Sequence, residues 1–351
     1  MKIITIVGAR PQFIKAATVS RQLMNNDLIN EIIVHTGQHY DKNMSEIFFE
    51  ELKISKPNYN LEVGSGSHGV QTAMMLTRIE EVLLKEKPSK VLVYGDTNST
   101  IAGALAAVKL SIPVSHVEAG LRSFNRDMPE EINRIGTDHF SNVLFTPTPT
   151  AMENLKNEGL DHRAIFSGDV MYDSIIFYKK IVSNNLNIFH VSDLPTKYYL
   201  ATIHRPANTD NKEKLKGILT AFSKLNLPVV LPVHPRTRKI IAEQFDKFSN
   251  IILIDPVGYL QMISLLLKSE KVLTDSGGLQ KEAYFLQKQC ITLRKETEWM
   301  ETLHDNWNTL VGANVKKIIN AVKTNITNIE QKNNFGEGNA ANIIAEHLAK
   351  T

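Results

Sequence analysis

The sequence predicts an α/β protein made of two halves, each a mainly parallel sheet with helices on both faces. Three observations carry this. Short apolar runs of strand length alternate with amphipathic stretches of helical period along the whole chain. The alternation starts twice, at Met1 and again at Tyr198, on either side of a polar, Asn-rich stretch from Lys179 to Thr196 that reads as a linker. The chain has 351 residues, more than one ordinary core holds.

In the first half, Ile3 to Val7 is a strand. Gly8-Ala9-Arg10-Pro11 is the turn after it, with Pro11 suited to open a helix that runs through Phe13, Ile14, Ala17 and Leu23. Arg10 and Lys15 flank that helix start, where cations suit a pyrophosphate. Glu31 to His35 is a second strand, followed by the polar loop Thr36 to Asp41, which contains Gln38. Gln71 to Lys85 is helical, with Leu76, Ile79, Val82 and Leu83 on one face. Val91 to Tyr94 is a strand that ends in Gly95-Asp96, and Thr97 is a good N-cap for the next helix. Val114 to Val117 ends in Glu118. Pro129-Glu130-Glu131 opens a helix, where acidic residues also simply complement the dipole. Val143 to Phe145 and Arg163 to Phe166 continue the sheet. Arg10, Asp96, Glu118 and Glu130 all fall at carboxyl ends of strands or the helix starts beyond them, where open parallel sheets bind ligands.

In the second half, Tyr199 to Ile203 is a strand ending in His204-Arg205. Val229 to Val233 is another, ending in His234-Pro235-Arg236. Ile251 to Ile254 and Lys271 to Thr274 follow, and Gly336 to Leu348 is a final helix. The last of those strands runs into Asp275-Ser276-Gly277-Gly278 and then a helix from Leu279 to Leu286. Strand, two glycines, helix is the recipe for an anion site, because backbone approaches closely and free N–H groups meet the positive end of the dipole. Glu282, about one turn inside, is placed for the two hydroxyls of a ribose. A tight βα turn with a capping serine gives the same local pattern, and it is the strand-end His and Arg residues that favour the phosphate site.

Composition narrows the partners. The chain is 42% hydrophobic and 22% charged, with a net charge of +3 that is too small and dispersed to argue for nucleic acid or a membrane surface. One cysteine, Cys290, gives neither a disulfide framework nor a cysteine metal site. No run approaches the ~18 apolar residues of a membrane span, and Arg10 follows the apolar start too soon for a signal peptide. The expectation is a cytoplasmic protein. Three carboxylates in one half and a nucleotide-diphosphate site in the other suit an activated sugar, since paired carboxylates can remove one proton and deliver another. The residues alone leave two readings: a sugar transferase, or an enzyme that rearranges the nucleotide sugar itself.

Seven motifs occur in order: Gly8-Ala9-Arg10-Pro11-Gln12-Phe13-Ile14-Lys15, Gly95-Asp96-Thr97, His116-Val117-Glu118-Ala119-Gly120-Leu121-Arg122, Pro129-Glu130-Glu131-Ile132-Asn133-Arg134, His204-Arg205, Pro232-Val233-His234-Pro235 and Thr274-Asp275-Ser276-Gly277-Gly278. Together they resemble the non-hydrolysing UDP-N-acetylglucosamine 2-epimerases over nearly the full length. The resemblance implies two Rossmann-like domains in a glycosyltransferase-B-like fold, with the active site in the interdomain cleft. Residues 1–168 with the C-terminal helix 336–351 would form the catalytic domain, and 169–335 the UDP-binding domain. It implies a homodimer that needs no metal and no cofactor. The implied reaction eliminates UDP across C1–C2 to a 2-acetamidoglucal and re-adds it with inversion at C2. Asp96, Glu118 and Glu130 would supply acid–base work, with His204 at the UDP end. Arg10, Lys15, Ser276, Gly277, Gly278 and Glu282 would hold the nucleotide, and Gln38, Gln71, Arg205 and His234 a second nucleotide sugar or the phosphates.

Some positions depart from that pattern. Glu296-Thr297-Glu298-Trp299-Met300-Glu301 stands where Thr-Thr-Glu-Arg-Pro-Glu is usual, so Trp299 replaces a ligand-contacting arginine. Val257 and Met262 stand near the expected uracil site in place of Gln and Phe. At the regulatory site Val70 replaces an arginine and Asp41 a glutamine. The Gln38-His39-Tyr40-Asp41 and Glu296-Thr297-Glu298-Trp299 variants resemble the branch acting on UDP-2,3-diacetamido-2,3-dideoxy-glucuronic acid, which leaves the identity of the sugar open.

Overall fold

The computed structural model describes residues 1–38, 55–185, 191–233, 235–244 and 250–350. The chain divides into two compact units, Met1–Ser174 together with Asn333–Thr351, and Ile175–Lys332.

Among the described residues the first unit is built on seven strands: β1 (Lys2–Val7), β2 (Asn30–His35), β3 (Tyr59–Asn60), β4 (Lys90–Tyr94), β5 (Val114–Val117), β6 (Val143–Thr146) and β7 (Ala164–Phe166). They pair in the order β3-β2-β1-β4-β5-β6-β7, and every pairing is parallel. Helices on both faces leave the central strands no exposed side, so β1 and β4 read as apolar runs, and Ile4, Ile6, Val91 and Val93 are fully buried. The order reverses at β1, which lies between β2 and β4, and this is where such sheets open a crevice at their carboxyl ends.

Gly8 follows β1 at that point. A Cβ there would collide with the hydroxyls of Ser99 and Thr36, so only glycine lets the three strand-end loops meet. Gln12, in the helix Arg10–Leu23, then takes the Gly8 and Ala9 amides on its side-chain oxygen at 2.8 and 3.0 Å.

The chain returns to this unit at its end. Asp173 Oδ2 accepts the Ala341 amide at 2.8 Å and so caps the final helix, Ala340–Lys350. At the other end of that helix, Lys90 Nζ donates to the Leu348 carbonyl at 3.3 Å.

The second unit repeats the plan with β8 (Tyr199–Thr202), β9 (Val229–Pro232), β10 (Ile251–Ile254), β11 (Lys271–Thr274), β12 (Cys290–Thr292) and β13 (Asn308–Leu310), ordered β10-β9-β8-β11-β12-β13. Its pairings are also all parallel. Ile218 and Phe222 from the helix Lys212–Ser223 pack on Leu231, Leu273 and Ile291 to form one face of its core.

The α/β class with two parallel sheets is as predicted. One boundary differs: the stretch expected to be linker from Lys179 is still helix, which runs from Val170 to Asn184. Tyr178 and Val182, four residues apart, are fully buried and carry the helix past its polar neighbours. The strands β3, β12 and β13 have only two or three residues each, too few to show a period in the sequence.

Candidate active site

In the first unit two of the acids expected from the sequence, Asp96 and Glu118, stand where β4 and β5 end. Asp96 follows β4, and its side chain is 31% exposed. Its Oδ2 lies 2.7 Å from Arg134 Nη2, on the helix Pro129–Phe140. The Asp96 carbonyl accepts Asn133 Nδ2 at 2.9 Å from the same helix. Arg134 is nearly buried, and its Nη1 lies 2.7 Å from Glu131 Oε2.

Glu118 follows β5 on the neighbouring strand. It has a φ of 73°, a conformation that costs a non-glycine residue of order 1–3 kcal/mol and is found at functional sites. Its amide and that of Ala119 both donate to the Phe145 carbonyl, at 3.1 and 3.0 Å, and hold it there. Its carboxylate pairs with Lys15 Nζ, and both side chains are almost buried. Lys15 therefore sits against a carboxylate of its own unit. Gly95 lies over this pair, since a Cβ there would stand 3.2 Å from Lys15 Nζ and 3.3 Å from Glu118 Oε2.

The two acids that open the helix Pro129–Phe140 part company. Glu130 is exposed. Glu131 turns inward and accepts the Ser123 amide, the Ser123 hydroxyl and the Phe124 amide at 2.8 to 2.9 Å, besides Arg134. Burial alone raises the Glu131 pKa, but these donors outweigh it and hold the carboxyl below the usual range. Glu131 is thus committed to the loop that leads from Glu118, and Glu130 is the one open to solvent.

Beneath this edge His116 is fully buried. Its Nδ1 lies 2.7 Å from Asp138 Oδ1 and its Nε2 2.7 Å from the Gly95 carbonyl. Asp138 also accepts the Gly120 amide and Arg122 Nη1. Burial opposes the ionised form of Asp138, yet His116 and Arg122 together keep its pKa lowered. The turns on both sides of Glu118 are in this way fixed to one buried network.

Gln38 and Gln71 are held within the fold. Gln38 Oε1 accepts both the amide and the hydroxyl of Ser99, at 3.1 and 2.7 Å. Gln71 donates to the Gly64 carbonyl at 2.8 Å and accepts Asn98 Nδ2 at 2.9 Å. Val70, beside it, is 58% exposed. Arg10 is the first residue of its helix.

In the second unit Ser276 caps the helix Gly277–Phe285, its hydroxyl accepting the Leu279 amide at 3.3 Å. Gly277 and Gly278 open that helix, where the first amides have no intrahelical acceptor. A Cβ on Gly277 would run into Glu298 Oε1, and Glu298 pairs with Arg294 at 3.0 Å. Glu282 is buried in the same helix. Lys281, also buried, stacks its ammonium 3.7 Å from the centre of the Trp299 ring. Asp275 accepts the amides of both His204 and Arg205 at 3.1 Å. The His204 side chain is 60% exposed. His234 and Asp41 lie outside the described residues. Among the described residues no group of three or more His, Cys, Asp or Glu could hold a metal ion, and no helix is long and apolar enough to cross a membrane.

A family model described as UDP-N-acetylglucosamine 2-epimerase matches residues 21–349. The chain belongs to this family. It is 57% identical over 356 residues to a UDP-N-acetylglucosamine 2-epimerase homolog of Methanococcus maripaludis, covering 99% of each chain. It is 51% identical over 358 residues to the UDP-2,3-diacetamido-2,3-dideoxy-D-glucuronate 2-epimerase of Pseudomonas aeruginosa, covering 100% of each. The crystal structure of Methanocaldococcus jannaschii UDP-GlcNAc 2-epimerase in complex with UDP-GlcNAc and UDP is similar at a TM-score of 0.92 and 44% identity, with 100% of each chain covered.

In this 2-epimerase family member the sequence reading assigned no role to Arg134 or Asp275, though both lie inside motifs it singled out. Arg134 had a usable signal. It stands three residues after Glu131, the spacing of an ion pair on one helix face. Asp275 and Asp138 had none, because their partners lie 71 and 22 positions away in sequence.

Proposed function

We propose that the chain interconverts UDP-N-acetylglucosamine and its C2 epimer UDP-N-acetylmannosamine, without net hydrolysis, to supply precursors for surface polysaccharide. A carboxylate of the first unit takes the C2 proton while the C1–O bond breaks. Its electrons leave with the β-phosphate oxygen of UDP, and a C1–C2 double bond forms. UDP then returns to C1 as a proton reaches the opposite face of C2. Asp96, Glu118 and Glu130 divide this acid–base work. His204 and the Ser276–Gly277–Gly278 turn, with Arg10, receive the diphosphate, and Glu282 takes the ribose. The pairing of Lys15 with Glu118 sets a cation against that almost buried carboxylate.

The observation that carries this is the pair of strand-end acids. Asp96 on Arg134, partly exposed, and Glu118 on Lys15, almost buried, lie at adjacent strands, and this difference in burial suits separate acid and base roles. The test is incubation with UDP-N-acetylglucosamine alone in deuterated water, followed by proton NMR. The expected result is a manno product with deuterium at C2 in both epimers. Product that appears only with an added acceptor, or keeps its C2 proton, overturns the proposal.

A second reading is UDP-2,3-diacetamido-2,3-dideoxy-D-glucuronate as substrate. It is favoured by the Pseudomonas aeruginosa relative, matched over its full length at 51% identity, and the same NMR experiment with that sugar decides between them. We further propose a cytoplasmic homodimer, in keeping with the family resemblance.

A further inference from the structure

We infer that Asp275 is a positioning residue for His204, holding one ring nitrogen so that the other is offered to the departing diphosphate. This rests on the role proposed above for His204.

Asp275 follows β11 directly and is fully buried. Its Oδ1 accepts the His204 amide at 3.1 Å. Its Oδ2 accepts the Arg205 amide at 3.1 Å and Asn208 Nδ2 at 3.0 Å, and reaches the His204 amide again at 3.3 Å. One step earlier the hydroxyls of Thr202 and Thr274 meet at 2.6 Å. The ends of β8 and β11 are therefore tied together at two successive levels, and the carboxylate itself is held from several directions.

His204 Nδ1 lies 3.2 Å from Asp275 Oδ1, while the ring as a whole is open to solvent. A carboxylate only accepts, so a small turn of the ring that brings Nδ1–H onto Asp275 Oδ1 selects the neutral tautomer protonated at Nδ1. Nε2, on the far side of the ring, is then the free acceptor. Asp275 also precedes Ser276, so one buried side chain sets the placement of His204 relative to the first amides of the helix Gly277–Phe285. An exposed histidine without such an anchor spreads over rotamers and tautomers.

The experiment is long-range proton–nitrogen NMR of the full chain with ¹⁵N-labelled histidine at pH 8, with His204 assigned from the spectrum of His204→Gln. The expected wild-type His204 signal is the tautomer protonated at Nδ1. Asp275→Asn is expected to move it to a mixture rich in the Nε2-protonated form. Turnover is expected to fall about 10-fold or more in Asp275→Asn and no further in the double variant with His204→Gln, as for an orienting group acting through its histidine. A merely structural Asp275 would lower the melting temperature and leave the tautomer alone. A wild-type His204 protonated at Nε2 overturns the inference even if Asp275→Asn does not fold, as does an unchanged tautomer in that variant. If the tautomers behave as expected and no UDP-sugar is turned over, the positioning stands and the epimerase reading fails.

Discussion

Arg134 Nη2 lies 2.7 Å from Asp96 Oδ2. The same guanidinium reaches Glu131, so one nearly buried cation serves both the carboxylate proposed for chemistry and a carboxylate that fixes the Ser123 loop. Replacing it with an apolar side chain leaves two anions facing each other at the end of β4. For Arg134→Met we expect a stability loss of ~3–5 kcal/mol, the usual cost of removing one partner from a buried pair. Turnover should fall with it. Chemical denaturation and a turnover assay measure the two effects, and wild-type stability would show that Arg134 is dispensable to both acids.

Glu130 and Glu131 should separate cleanly. Glu130→Gln changes an exposed carboxylate and is expected to lower turnover ~10²-fold with an unchanged melting temperature. Glu131→Gln presents an amide N–H₂ where amide and guanidinium donors now point, and should cost ~1–3 kcal/mol of stability. Thermal unfolding and initial rates on the two variants check this. The opposite pattern would exchange their roles.

Lys15 and Glu118 should be strongly coupled. Lys15→Met leaves Glu118 buried without its cation, and Glu118→Gln leaves the ammonium in the same state. The double variant is expected to be less destabilised than the sum of the two, by ~1–3 kcal/mol. Additive losses would mean that the pair is solvated in solution.

Asp173 should make stability depend on pH. Burial pushes its carboxyl up to about 6, with the Ala341 amide and its neighbour Asp169 acting on it as smaller influences. A folded pKa above the unfolded value of about 3.9 means the protonated form is favoured in the native state. This contribution is fully present below about pH 4 and is lost as pH rises through 6. Asp173→Asn keeps an oxygen for the Ala341 amide without the charge. It is expected to flatten the stability profile between pH 4 and 6 and to be more stable than wild type at pH 8. Denaturation midpoints across that range test it, and a variant less stable at pH 8 would sink the prediction.

Gly277→Ala should weaken UDP binding. The new Cβ meets the Glu298 carboxylate, which is held against Arg294, so either that pair or the first helix amides must shift to make room. A drop in UDP affinity of ~10-fold, about 1.4 kcal/mol, is expected by calorimetry. Unchanged affinity would remove the turn from the phosphate site.

The sequence by itself determined the two parallel sheets, because strands covered on both faces must be apolar throughout and helices between them must keep a 3.6-residue period. It also determined which residues stand at strand ends, since Asp96, Glu118 and the Ser276–Gly277–Gly278 turn begin within two residues of their strands. Only the tertiary structure decided what faces what. Glu130 and Glu131 are neighbours in one helical turn, and a rotation of about 100° between them sends one to solvent and the other into the Ser123 loop. Lys15 and Glu118 are 103 positions apart, and His204 and Asp275 are 71. Such pairs are made by the strand order, which sets β1 and β5 on either side of β4 and β8 beside β11, and no local pattern of residues records that order. Propensity and periodicity act within a few turns of chain. The electrostatic setting of a catalytic group is fixed by whichever distant side chains the sheet brings within about 3 Å of it.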